Sequence, residues 1–206
     1  MAYLFDTQVL HDIIRSALPL PTEAKAQHIR DELERRYPGH IAPRIEWIFN
    51  IAGGAMGHMA VLHASLTEYI LVFGSPIGTE GYSGRFLADD FFYILEGEQW
   101  AYGESELERR VYKAGDMHHL PRGVARGYRF PDRCYAVEYA RGAIPLMLPF
   151  GLGDSFSSTL DPIPVAKTIR AFTQGVMREM SIGAKEGIKR LKASGPRAFL
   201  KSSSER

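Results

Sequence analysis

Tyr93-Ile94-Leu95-Glu96-Gly97-Glu98 and, further on, Ala114-Gly115-Asp116-Met117-His118-His119-Leu120-Pro121-Arg122-Gly123 decide the fold. In the first stretch an apolar run enters a glycine turn. In the second, a Gly-Asp turn, one short strand and a Pro-x-Gly turn follow one another. Gly supplies turn conformations that other residues resist, and Pro presets φ, so these residues punctuate strands. The same texture runs outward from here, between Ile45 and Pro149. Short runs rich in Val, Ile, Tyr and Phe alternate with Gly, Pro, Asp and Ser clusters, at residues 60–63, 68–73, 91–95, 99–102, 110–112, 116–119, 125–130 and 135–140. Many short strands with regular turn signals predict an all-β barrel or sandwich.

A short strand entered and left through tight turns is the punctuation of a small double-stranded β-helix, the cupin barrel. Helices flank it. Val9, Leu10, Ile13, Ile14 and Leu18 predict a short helix ending at Pro19, and Ala26, Ile29, Leu33 and Tyr37 a second one, opened by Thr22 and stopped by Pro38-Gly39;. After the barrel, Asp161 is placed to cap a helix with Pro162 at its first position;. Val165, Ile169, Phe172, Val176 and Met180 form its apolar stripe, and Gly183 and Gly187 are expected to weaken or bend its second half;. The chain thus reads as a single mainly-β domain: N-terminal helices over 1–44, a barrel over 45–150, C-terminal helices over 151–193 and a loose tail over 194–206.

The 206 residues carry a net charge of +1, which hides an asymmetry: residues 1–161 balance to −6 and residues 162–206 to +7. Such a split marks an interaction surface. A content of 45% hydrophobic and 24% charged residues excludes disordered and fibrous classes;. The single Cys134 excludes an internal disulfide framework and a cysteine-based zinc site;. No run of apolar residues is long enough to span a bilayer. The opening segment, with Asp6 and no basic cluster, is a poor signal peptide;.

Seven histidines raise the question of a metal. Cupin metal sites need three or four converging ligands. Residues 85–97 hold no His, and the adjacent His118 and His119 point to opposite faces of a strand;. No metal or other cofactor is therefore expected. The carboxylates are more informative. Glu138 sits within Tyr135-Ala-Val-Glu-Tyr-Ala, and Asp89-Asp90 precede Phe91-Phe92-Tyr93-Ile94-Leu95. A carboxylate inside an apolar strand either closes a structural ion pair or faces a cavity, where desolvation and a second acid raise its pKa into the range useful for proton transfer. Gly53-Gly54-Ala55-Met56-Gly57 lacks the residues of a phosphate loop and reads as a tight turn or a close backbone approach;. The basic C-terminal helix lacks the interleaved aromatics of a nucleic-acid surface; it fits a membrane surface or an ordinary core-packing role with a solvated basic face.

Several stretches carry a resemblance: Trp47-Ile-Phe-Asn-Ile-Ala-Gly-Gly-Ala-Met-Gly, Leu62-His-Ala-Ser-Leu-Thr-Glu-Tyr, Phe73-Gly, Gly78-Thr-Glu-Gly, Ala88-Asp-Asp-Phe-Phe, Val137-Glu-Tyr-Ala-Arg-Gly-Ala-Ile-Pro and Leu148-Pro-Phe-Gly-Leu-Gly-Asp-Ser-Phe-Ser-Ser-Thr-Leu-Asp. In order, and from Tyr3 to Met180, they resemble the family of fungal C-8 sterol isomerases and sigma-type-one receptors. The resemblance implies a cupin-like barrel, a homotrimer, two C-terminal helices lying on a membrane, and an apolar pocket closed by them. Members of this family normally start with a transmembrane helix. This chain begins where that helix would end, so anchoring is expected to rest on the C-terminal helices, peripherally on a cytoplasmic or endoplasmic reticulum surface.

By the same resemblance Glu138 matches a buried glutamate that engages ligand amines, and Tyr69 a pocket tyrosine beside it. Phe92 stands where the receptor has the glutamate's partner aspartate; Asp90, two residues earlier on the same strand face, is expected to replace it. His118 shares inward parity with Leu120. Met59, Val61, Leu71, Phe73, Ile144, Leu148 and Phe172 match apolar lining positions. The activity implied is cofactor-independent movement of a sterol double bond from delta-8 to delta-7, with Glu138 and Asp90 as the proton-transfer pair and Tyr69 and His118 as orienting or relaying groups. Sterols or related polycyclic lipids are the expected substrates, and cationic amphiphilic amines the expected inhibitors. The alternative is a non-catalytic, sigma-receptor-like binder of amines or lipids.

Overall fold

Leu10, Ile13, Ile14 and Ala17 fall on one buried face of helix α1, Thr7–Ala17. Asp6 caps it, its Oδ1 accepting from the backbone N–H of Gln8 at 2.8 Å and of Val9 at 3.0 Å;. Helix α2, Thr22–Arg36, buries Ala26, Ile29 and Leu33. A computed structural model describes residues 3–193, so the tail read over 194–206 lies outside the described residues.

Ten strands follow: β1 Ile48–Ala52, β2 Ala55–Ala64, β3 Glu68–Ser75, β4 Thr79–Tyr82, β5 Ala88–Glu96, β6 Glu98–Tyr102, β7 Arg110–Lys113, β8 Met117–Leu120, β9 Gly127–Phe130 and β10 Cys134–Gly142. They form one antiparallel sheet in the order β1-β2-β3-β10-β5-β8 and a second in the order β4-β9-β6-β7. The sheets share an inner core in which Phe73 of β3 meets Phe130 of β9, ring centroids 6.1 Å apart. The result is the expected mainly-β, cupin-like barrel with flanking helices.

The central strands of the larger sheet, β3, β10 and β5, are covered on both faces, which explains their sequence. No residue of β3 is exposed. Tyr69, Leu71 and Phe73 enter the barrel core, while Ile70 and Val72 pack outward with Leu10, Ile14, Ile29 and Leu33 of α1 and α2. A strand buried on both sides loses its polar alternation and reads as an unbroken apolar run. The two strands absent from the sequence reading, β1 and β4, are short, and β4 is half exposed with Gly81 inside it. Gly53 and Gly54 make the turn between β1 and β2 with φ of +61° and +84°. Both readings of this motif hold, because a Cβ at Gly53 would lie 1.8 Å from the Tyr82 carbonyl oxygen.

Two helices close the barrel mouth. Helix α3, Leu148–Thr159, starts three residues before the boundary read at 151. It is pinned to the β1–β2 hairpin: Ser155 Oγ donates to Ile51 O at 2.9 Å and accepts from Ile51 N at 3.0 Å, and Asp154 accepts from Gly54 N at 2.9 Å. Helix α4, Pro162–Ala193, begins as expected, with Asp161 accepting from Ile163 N at 2.9 Å. It runs through Gly183 and Gly187 without ending. Leu160, at φ +55°, is the left-handed turn between the two helices. Helix α4 lies close on the barrel because Gly175 presents no side chain there: a Cβ would be 2.6 Å from Ala64 O. The Glu179 carboxylate, 2.9 and 3.0 Å from His40 Nδ1, and Arg170, 2.6 Å from Glu46, tie α4 to the body.

Candidate active site

Three neighbouring strands build the site. Tyr69 on β3 lies opposite Ala140 of β10, Asp90 on β5 lies opposite the same Ala140, and Glu138 is one inward step along β10. Inward parity therefore brings the three polar side chains together in an apolar wall. The Tyr69 hydroxyl is 3.4 Å from Asp90 Oδ2 and 3.5 Å from Glu138 Oε2, able to donate to either. Asp90 is 5% exposed, and its Oδ1 has no hydrogen-bond partner among the described residues.

These groups line a cavity of about 130 Å³ under α3 and α4. Met59, Leu71, Leu148 and Phe172 line it as the resemblance implied, and Phe92 and Leu120 line it beside them. Phe172 closes it from α4, its ring meeting Tyr69 edge-on at 6.0 Å. Val61 and Phe73 sit in the surrounding core without lining it. Ile144 lines instead a neighbouring groove of about 270 Å³ between α3 and α4, which shares Leu148, Leu152, Thr168 and Phe172 with the cavity. His118 is inward and buried, and His119 is exposed, as strand parity required. Yet His118 does not line the cavity: Phe92 stands in front of it, and its Nδ1 is 2.9 Å from Gln99 Oε1. His118, expected as an orienting or relaying group, thus sits behind the cavity wall. Tyr128, Asn50, Ser83, Met147 and Phe86 also line the space and were not read from the sequence. For Tyr128 a signal existed, since it shares inward parity with the buried Phe130.

Among the described residues no Lys, Arg or His lines this cavity, so the acid pair has no cationic partner among them there. Both carboxyls thus line a cavity wall rather than forming an ion pair with a lining cation. Burial pushes the Glu138 carboxyl up to about 7, against a partial offset from the Tyr69 hydrogen bond. Burial, and then the neighbouring Glu138 charge, push Asp90 well above the usual carboxylate range. Burial and the two carboxylates also raise Tyr69, which stays a hydroxyl donor. Both shifts oppose ionising the two acids together, which favours keeping a proton on the pair near neutral pH;.

The family described as ERG2 and Sigma1 receptor like protein matches residues 1–184. The chain belongs to this family. The C-8 sterol isomerase ERG2 of Gibberella zeae is 51% identical to it over 162 residues, which cover 77% of this chain and 69% of that protein. The sigma non-opioid intracellular receptor 1 of Gallus gallus is 39% identical over 183 residues, covering 87% and 82%. Among solved structures, an RmlC-like cupin from Shewanella frigidimarina is similar over 48% of this chain and 86% of its own, with a TM-score of 0.42 and 22% identity. In this member of the ERG2 and Sigma1 receptor like family, the second acid of the site comes from position 90, and position 92 contributes an aromatic wall.

Proposed function

We propose that this protein is a C-8 sterol isomerase that moves a ring double bond from delta-8 to delta-7 by proton transfer between Asp90 and Glu138. The single observation that carries the reading is the pair of carboxyls around Tyr69 in a cavity that no basic side chain among the described residues lines. Asp90, the more deeply buried, holds the shared proton and gives it to one alkene carbon. Positive charge then develops on the other alkene carbon, beside the ionised Glu138. Glu138 removes a proton from the adjacent ring carbon, and the double bond re-forms one position along. One proton enters and one leaves, so the step balances without an oxidant or reductant. Tyr69 orients both carboxyls and stays protonated. The groove between α3 and α4 continues the cavity with an apolar wall that suits a long hydrocarbon substrate. Cationic amphiphilic amines fit the same site because they mimic the developing charge.

The test is incubation of the purified protein with a delta-8 sterol in deuterated water. The expected product is the delta-7 isomer carrying one carbon-bound deuterium, read by mass spectrometry. Amine binding without any conversion would instead favour the receptor-like alternative.

We further propose that α3 and α4 meet a membrane surface and that the protein is a homotrimer. No helix among the described residues is long and apolar enough to cross a membrane. Helix α4 exposes Ile163, Ile169, Met177, Met180 and Ile188, and carries Lys167, Arg170, Arg178, Lys185 and Lys189 around them. Apolar insertion joined to attraction for anionic headgroups makes such a helix lie in the interface. Binding to anionic vesicles is expected to weaken as salt rises from about 0.1 to 1 M, where the screening length falls from about 10 to 3 Å. Binding that is absent, or indifferent to salt, removes this role. For the trimer, the four-stranded sheet exposes Tyr82, Tyr102 and Val111 as surface for a second copy.

A further inference from the structure

Phe92 stands directly opposite Glu138 in the register of β5 and β10, and both line the cavity. Its ring is the front member of a stack of three. Phe92 and His118 have ring centroids 5.8 Å apart with planes inclined by 29°. His118 lies on Tyr112 at 4.5 Å and 11°. The middle ring is fixed in place: His118 is 3% exposed, and its Nδ1 lies 2.9 Å from Oε1 of Gln99, itself 1% exposed. Burial lowers the imidazole pKa to about 4, so the ring behind Phe92 carries no charge at neutral pH.

The face of an aromatic ring is its negative side. A cation within about 6 Å of that face is attracted, more strongly where water is excluded. Proton transfer to an alkene creates positive charge in the cavity, and groups arranged in advance around that charge are what lower the barrier. Glu138 supplies one such group, but a carboxylate also takes protons. An aromatic ring beside it on the neighbouring strand offers the cation a π face without competing for a proton or forming a bond;. We propose that Phe92 is a catalytic residue whose π face, held by His118 as a positioning residue, stabilises the positive charge that develops beside Glu138 and binds ammonium ligands by the same contact. The catalytic half rests on the isomerase reading; the ammonium half does not.

The test is a series of proteins carrying mono-, di- and trifluorinated phenylalanine at position 92. Fluorination leaves the ring's shape nearly unchanged and drains its negative face. Three quantities are measured: kcat with a delta-8 sterol, Kd for a protonated tertiary amine, and Kd for the uncharged carbon analogue of that amine. The first two are expected to worsen stepwise, by about two- to thirtyfold at the trifluoro ring, while the analogue's affinity stays level. A flat series, or an equal loss for the analogue, overturns the proposal. Absence of turnover with natural Phe92 overturns the isomerase reading instead, and the amine series alone then decides the π contact. His118→Ala is expected to lose the preference for amine over analogue, and His118→Phe, which keeps a ring in the stack, to recover it. No recovery overturns the positioning role.

Discussion

Glu138→Gln is expected to lower kcat for delta-8 sterol turnover by about 10²- to 10⁴-fold, the usual contribution of a positioned general acid or base, while KM changes little. Gln keeps the shape of a protonated Glu, so the barrel and the apolar contacts that bind substrate remain. What is lost is the group that takes the second proton and the charge that faces the developing cation. Asp90→Asn is expected to cost a similar factor by removing the first proton. The double variant should cost little more than either single one, because the two acids act as a unit. In the wild type, kcat/KM should rise as pH passes through about 7, where Glu138 ionises, with Asp90 still protonated because burial and the Glu138 charge hold it higher. That ascending limb should vanish in Glu138→Gln. Turnover within about threefold of wild type, against the factor expected of such a group, would sink the assignment.

Much of this arrangement was legible in the sequence, for physical reasons that differ by element. Helices α1 and α2 face one core and one solvent, so their apolar spacing is periodic and visible. Strand alternation gave only which residues share a face, Asp90 with Phe92 and His118 with Leu120; that Glu138 faces the pocket came from the family resemblance. Which strands lie side by side did not follow, and that is what brings Tyr69 and Asp90 to the two sides of Ala140. Helix α3 was not legible from its residues. Pro149, Gly151 and Gly153 weaken it locally, and contacts from Ser155 and Asp154 to residues about a hundred positions earlier hold it; only the family resemblance placed a helix there. The place of His118 behind Phe92, rather than in the cavity wall, depends on rotamers that neither parity nor resemblance specifies.

The acid pair should also leave a signature in stability. A carboxyl held at about 7 in the folded protein, against 4.5 when free, keeps its proton between these values while the unfolded chain loses it. Its contribution is therefore fully present below 4.5 and is lost as pH rises through 7. For Glu138 alone this amounts to roughly 3 kcal/mol, and Asp90 acts in the same direction. His63 and His118 oppose it. Burial lowers both to about 4, so their contribution is present above 6.5 and lost as pH falls through 4. Wild-type stability alone mixes the two effects. The difference between wild type and the Asp90→Asn, Glu138→Gln double variant isolates the acids, since the variant keeps both histidines. The variant's advantage should be larger at pH 8 than at pH 5 by more than the roughly 3 kcal/mol of Glu138 alone, because Asp90 adds to it;, or upwards of roughly 10 °C in Tm for a chain of this length. Calorimetry at the two pH values checks it. An equal gap at both would mean that the carboxyls titrate normally in the folded protein, and that the cavity does not hold a proton for the reaction.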